Sequence, residues 1–443
     1  MKGKKVVLFL LTGLLLNGVV FAQNGWTDLF NGKDLKGWKQ LNGEAKYEVL
    51  DGVIVGTTVA NTPNSFLCTE KNYGDFVLEL ELFVDPDMNS GIQFRSESLP
   101  EYNNGRVHGY QCEVDPSDRA WSAGIYDEAR RGWLYTLDIN PSAKTALKLG
   151  EWNKYRIECI GNSIRTWLNG IPVAHLIDDM TAKGFIALQV HGIGNNKEHE
   201  GRQIKWRNIR IKSDNLKPAP YEGVPVVNLV PNNLSEAEKQ QGFSLLFDGK
   251  STKQWKSANG ENFPEKGWEV ENGTLSVLSG VNGGDIVTRK EFGPFEFKFD
   301  FMFTEGANSG VKYGIGNNGS SIGLEYQILD DEKHPDAKNG VVGNRTLASL
   351  YDLIPAEKEN RFVKGANQWN RGRILVFPDG KVQHWLNGRK VVEYTRSNNI
   401  YRALVARSKY ADYEGFGMAE KGPILLQDHH DTVHFRSLKI REL

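Results

Sequence analysis

Two short alternations place acids, amides and a histidine in step with one another. Gln111, Glu113 and Asp115 alternate with Tyr110, Cys112 and Val114, while Gln189 and His191 alternate with Leu188 and Val190. Side chains two apart on a β-strand share a face, so each polar set points one way and each apolar set points the other. Gln93 and Arg95 alternate in the same manner with Ile92 and Phe94. If these three strands are neighbours, one concave surface carries a carboxylate, an imidazole, amides and a cation, which are the parts of general acid–base chemistry with charge stabilisation. A second set lies further along: Glu325 and Gln327 among Leu324, Tyr326 and Ile328, then Gln427 and His429, with Lys312 and Tyr351 as further polar contacts. The competing reading for any one of these residues is an ordinary solvated sheet face, and recurrence weighs against it. The run from Asp127 to Trp133 holds Arg131 and Trp133, either as a surface turn with weak ion pairs or as a wall of a sugar site beside Tyr126.

Other chemistries find no support. No glycine-rich phosphate loop follows a strand, no zinc-type histidine pair sits on a helix, and no nucleophile elbow occurs. No cofactor is therefore expected, with a divalent metal at His191, Glu113 and Asp115 as the one alternative. Lys+Arg total 54 against Asp+Glu 55, so no broad field favours nucleic acid or a membrane surface. Some of the eleven tryptophans could be flat platforms on which sugar rings stack, so the expected partner is a carbohydrate; oligomeric state is open.

The elements that must position these residues come from a repeat. Trp26–Lys33 followed by Trp38 returns as Phe243–Lys250 followed by Trp255; Asn89-Ser90-Gly91 returns as Asn308-Ser309-Gly310; Trp167-Leu168-Asn169-Gly170 returns as Trp385-Leu386-Asn387-Gly388. The block order is identical in the two halves, which fixes a duplicated domain. Phe295, Phe297, Phe299, Phe301 and Phe303 alternate with Glu296, Lys298 and Asp300, and Asn-Gly and Asp-Gly pairs punctuate such strands at hairpin spacing. The class is all-β: two tandem antiparallel β-sandwiches, over residues 24–213 and 242–443. Residues 214–241 form a proline-marked linker in which Ser235 and Glu238 have capping-box spacing for one short helix. Lys2, Lys4 and Lys5 before an apolar run make residues 1–22 a signal peptide, with the mature chain exported to a periplasm or beyond, and no later stretch is apolar enough to span a bilayer. Cys68, Cys112 and Cys159 each sit in apolar strands, as buried thiols or with one pair bridged.

Both halves resemble the 3-keto-disaccharide hydrolase domain family. The marks are Phe247-Asp248-Gly249-Lys250 with Trp255, the Asn-Ser-Gly block, Glu325 to Asp330, the Trp-Leu-Asn-Gly hairpin, and Leu426-Gln427-Asp428-His429 leading into Phe435-Arg436. The resemblance implies a concanavalin-A-like jelly roll and hydrolysis of glycosides already oxidised to a ketone at sugar C3, by elimination across C1–C2 and addition of water. Under it Glu113 or His191 is the base, Arg95 or a divalent metal the enolate stabiliser, and Asp115 or Tyr126 the proton donor, with Glu325 and His429 as their counterparts in the second copy. Gln93, Gln111, Arg131, Trp133 and Gln189 contact substrate in the first domain, as do Lys312, Gln327, Tyr351 and Gln427 in the second. Two other functions fit the same scaffold: a lectin-like binding protein, and a conventional glycosidase acting on unoxidised glycans. The first domain is the preferred catalytic copy, because it keeps Arg95, Glu113, Asp115 and the Tyr126-Asp127 pair together.

Overall fold

The computed structural model describes residues 25–316 and 321–443, so the expected signal segment lies outside the described residues. Each half folds as two antiparallel sheets packed face to face. In the first domain the outer sheet runs Lys46–Leu50, Val53–Thr57, Gln203–Lys212, Phe76–Val84, Asn153–Ile160, Ser163–Leu168, Ile171–Ile177 in spatial order, read from one edge. The inner sheet runs Trp38–Leu41, Ser65–Thr69, Phe185–Val190, Ser90–Glu97, His108–Val114, Ile125–Glu128, Gly132–Tyr135. The chain crosses between these sheets after Trp38–Leu41, Val53–Thr57, Ser65–Thr69, Phe76–Val84, Gly132–Tyr135, Ile171–Ile177 and Phe185–Val190, which is the jelly-roll path. The second domain repeats this with an eight-stranded and a five-stranded sheet.

Alternation explains the core. Tyr110, Cys112 and Val114 are buried against Leu78, Leu80 and Leu82, and the five phenylalanines of Phe295–Phe303 fill the second core. All three cysteines are free and buried, so none is bridged. Burial, with help from the Asp75 and Glu158 charges and against that of Arg95, pushes the Cys159 thiol up to about 12, which keeps it protonated and inert.

Two features go beyond the local pattern. The polar face of Phe295–Phe303 is not solvated: Glu296 is buried with ion pairs to Arg373 and Arg441, and the Lys298 ammonium donates to the Val226 carbonyl at 3.1 Å. The linker is also more than a tether. Val226–Asn228 joins the first domain's outer sheet as a parallel strand beside Ile171–Ile177. The helix Glu236–Gln240 then forms with both halves of its capping box, and Glu238 meets Lys439 of the second domain at 3.1 Å in a buried pair. The domains dock directly as well. Phe362 packs into the first core against Trp121, Arg389 pairs with Asp138 at 2.6 Å, and the Thr136 hydroxyl donates to the Gly388 carbonyl at 2.8 Å. No described helix is long and apolar enough to cross a membrane.

Candidate active site

The first domain's inner sheet forms one wall of a cleft of about 970 Å3. Glu113 lies at its floor. Its strand pairs with Ser90–Glu97 so that Gly91 is opposite Glu113 and Gln93 is opposite Gln111. A Cβ on Gly91 would collide with the Gln111 side chain, and one on Gly310 with that of Glu325. The glycine of both Asn-Ser-Gly blocks is therefore the space over which the neighbouring strand's amide or acid lies flat. Asn89, two residues before it, donates to Glu113 Oε1 at 2.6 Å.

The amides form a directed chain. The Ser96 hydroxyl donates to Gln93 Oε1 (2.9 Å), Gln93 donates to Gln111 Oε1 (2.6 Å), and Gln111 donates to Glu113 Oε2 (2.9 Å). Burial nonetheless dominates: it lifts the Glu113 carboxyl from 4.5 to about 7, against the hydrogen bonds from Asn89 and Gln111 and with help from the nearby Asp115 charge. A carboxyl poised near neutrality and facing open space is suited to take and return a proton.

Next to it, Gln189 is fully buried and neither end of its amide has a partner among the described residues, although it lines the cleft. Such a group is costly to leave unpaired and marks where a ligand's hydroxyls would bind. His191 follows the end of the Phe185–Val190 strand. Its Nδ1 lies 2.8 Å from the Gly192 carbonyl, an acceptor only, so Nδ1 carries the proton and Nε2 is the free nitrogen. Tyr126 and Trp133 meet edge to face at 5.2 Å on the far side, and Arg119 lies 4.9 Å from the Trp133 ring centre. Burial and the charges of Glu128 and Glu113 raise the Tyr126 phenol, keeping it a hydrogen-bond donor. The Asp127–Trp133 run is a tight hairpin rather than a loose surface turn: Asp127 pairs with Arg130 (2.8 Å) and Arg131 (2.5 Å), and Arg131 reaches on to Asp178 (2.5 Å).

The structure thus gathers Glu113, Gln111, Gln189, His191, Tyr126, Arg131 and Trp133 on one cleft, with Gln93 behind Gln111. Two expected members are elsewhere. A register shift between Phe94 and Glu97, with Arg95 at φ +44, turns the Arg95 side chain out of the alternation. Its guanidinium is buried against the carbonyls of Gly74 (3.0 Å) and Gly161 (2.9 Å) and the carboxylate of Asp75 (3.0 Å). Asp115 lies past the strand end and ties a turn: it accepts from the Ser117 hydroxyl (2.6 Å), Arg119 Nε (2.7 Å) and the Trp121 amide (3.2 Å). Its oxygens are thereby committed, so the metal grouping of His191, Glu113 and Asp115 is not assembled. The potential metal ligands that do converge among the described residues are His334, His429 and Asp431 in the second domain, within 4.8 Å of one another and away from the cleft.

In the second domain the corresponding face is filled by its own chain. Lys409, Tyr410 and Tyr413 lie over Glu325, Lys312 and Gln427, leaving about 250 Å3. Gln327 is buried beside Asn308, and Tyr351 is buried with its hydroxyl on Asp336 (2.7 Å). Exposed His429 does not reach that remnant cavity.

Residues missed from the sequence also line the open cleft. Asn89 stood inside a repeated block that was read only as a repeat. Glu128 is held by Arg106 at 3.0 Å and is a second carboxylate on the cleft; nothing in its spacing distinguishes it.

A family model for a 3-keto-alpha-glucoside-1,2-lyase-like domain matches residues 25–212 and again residues 242–441. The chain belongs to this family. A 3-keto-disaccharide hydrolase of Bacteroides thetaiotaomicron is 31% identical over 46% of this chain and 79% of its own length. A crystal structure described as a glycosyl hydrolase of Parabacteroides distasonis is 31% identical over 48% of this chain and 100% of its own, with a TM-score of 0.43. Another of the same description and organism is 26% identical over 43% and 99%, with a TM-score of 0.33. Family membership and the hydrolase relative support a glycosidase-type enzyme, built as two copies of a family domain of which the first keeps an open cleft.

Proposed function

We propose that the first domain cleaves glycosides bearing a ketone at sugar C3, and that the protein does so after export. The observation that carries this reading is Glu113, a buried carboxyl shifted to about 7 and facing the cleft between two amide donors. A C3 ketone acidifies the C2 hydrogen, so a base of modest strength suffices. Glu113 as carboxylate takes that proton, and the C2–H electron pair enters the enolate. Collapse of the enolate restores the ketone, forms the C1=C2 bond and expels the C1 oxygen, which takes the proton that Glu113 has just removed from C2. Water then adds its hydroxyl at C1 while the free Nε2 of His191 accepts its proton and passes it to C2, so that both residues return to their starting state and the net result is hydrolysis. The amide of Gln189 and the hydroxyl of Tyr126 face the same space and are the donors for the enolate oxygen.

Turnover of a 3-keto-glycoside in heavy water should place deuterium at C2 of the product, and Glu113→Gln should lose ~10²–10⁴ in rate. Product retaining its original C2 hydrogen would favour direct displacement at C1, with Glu113 and Glu128 as the carboxylate pair. The family relative's name, 3-keto-disaccharide hydrolase, supports the oxidised substrate. Export predicts a mature chain beginning near Gln23; N-terminal sequencing of the cell-envelope protein that returned Met1 would contradict it.

A further inference from the structure

The far wall of the cleft belongs to the second domain. Asp300, Arg371 and Arg436 are outward-facing residues on three adjacent strands of its larger sheet, with Asp300 opposite Arg371 on one side and Arg436 on the other. In an isolated sandwich this would be an ordinary solvated face. Here it is turned toward Glu113 and His191 across a shared space, and the docking of Phe362 into the first core holds it there.

The chemistry of the wall is specific. The Arg436 guanidinium lies 3.9 Å from the centre of the half-buried Trp369 ring, covering one part of it, and Arg436 pairs with Asp300 at 3.3 Å. Arg361 is neutralised by Glu359 at 2.7 Å. Arg371 and Lys364 form no ion pair within 4.0 Å among the described residues; Asp300 and Asp178 act on Arg371 only from further away, and its Nη1 is buried with no hydrogen-bond partner. Two cations without a close carboxylate, lining the same cleft as that ring, form a site for a sugar ring that carries negative charge. The cleft is also roomy enough for more than one ring, since its volume of about 970 Å3 stands at the upper end of the ~300–1,000 Å3 usual for small-molecule sites.

We infer that the second domain supplies the leaving-group subsite of the first domain's active site, and that this subsite takes a sugar bearing an anionic group, a uronate carboxylate or a sulfate. The assignment as leaving-group side rests on the reading of Glu113 as the catalytic base. The second copy has thus exchanged a site of its own, filled by Lys409 and Tyr410, for a wall of its neighbour's.

Calorimetric titration of the full mature chain with methyl glucuronoside, glucose 6-sulfate and methyl glucoside tests this without turnover. One or both acidic sugars should bind about tenfold more tightly than the neutral one, the range expected for one charge-assisted contact, with the advantage shrinking as salt rises. Comparing the two acidic sugars distinguishes carboxylate from sulfate. Lys364→Gln and Arg371→Gln should each reduce the preference severalfold, whereas Lys364→Arg should retain it; thermal melting checks that each variant folds. Lys364 makes no side-chain hydrogen bond among the described residues, so its variant remains informative if Arg371→Gln does not fold. Equal affinity for acidic and neutral sugars, or a preference undiminished in Lys364→Gln, would overturn the inference. Lack of activity on 3-keto-glycosides would instead remove the catalytic reading and leave this binding result as it stands.

Discussion

Replacing Glu113 with glutamine should cut turnover by ~10²–10⁴ and, at alkaline pH, make the protein more stable. The carboxyl is 4% exposed and its proton affinity is raised from 4.5 in the unfolded chain to about 7 in the fold. The folded state therefore prefers the neutral form. That preference contributes stability in full below pH 4.5 and is lost as pH rises through about 7, because ionising the group in place costs desolvation. The interval is worth roughly 3 kcal/mol at 1.36 kcal/mol per pH unit. Glutamine is neutral at every pH and escapes this cost. It does present an NH2 where the carboxylate met only donors, Asn89 and Gln111. Reversing the amides of Gln111 and Gln93 resolves the conflict, since the chain ends on Ser96, whose hydroxyl can accept as readily as donate. Protonated Glu113 needs the same reversal, so the rearrangement is common to both. Urea unfolding of wild type and Glu113→Gln at pH 4.5 and pH 8.5 gives the quantity directly: the variant's relative stability should rise by about 2–3 kcal/mol between the two. A difference independent of pH would refute the claim that Glu113 is held desolvated in the cleft, and with it the argument for a base tuned to neutrality.

The same group should shape the rate profile. With a base near 7, kcat/KM on a 3-keto-glycoside should rise about tenfold per pH unit below that value and level off above it; a flat profile from pH 5 to 8 would exclude Glu113 as the base. Arg95→Met should destabilise by about 2–4 kcal/mol through loss of three buried hydrogen bonds, read from the denaturation midpoint, while KM stays within twofold because the side chain is off the cleft. Glu325→Gln should leave kcat within twofold, since Lys409 and Tyr410 cover that face; a hundredfold loss would return the second domain to catalysis.

Much was legible in the residue order. A period of two on a strand is a property of the backbone, so the separation of Glu113 and Gln111 from Tyr110 and Cys112 followed from spacing alone, as did the duplicated sandwich and the capped helix at Ser235. Arg95 shows where that logic ends. Parity holds only while the ladder is unbroken, and the register shift after Phe94 rotates Arg95 away; no local residue type announces it. At Asp115 parity lapses because the strand ends at Val114 and a turn claims the carboxylate. The state of the two copies was beyond any local pattern. Glu325 and Gln427 read as well as Glu113 and Gln189, and only the return of the segment bearing Lys409 and Tyr410 covers one face and leaves the other open. Likewise, the outward residues Asp300, Arg371 and Arg436 satisfy the rule for a solvated sheet face. Which neighbour that face meets depends on how Phe362 and the linker strand seat the domains together, a packing of surfaces distant in sequence to which each strand's own pattern is blind.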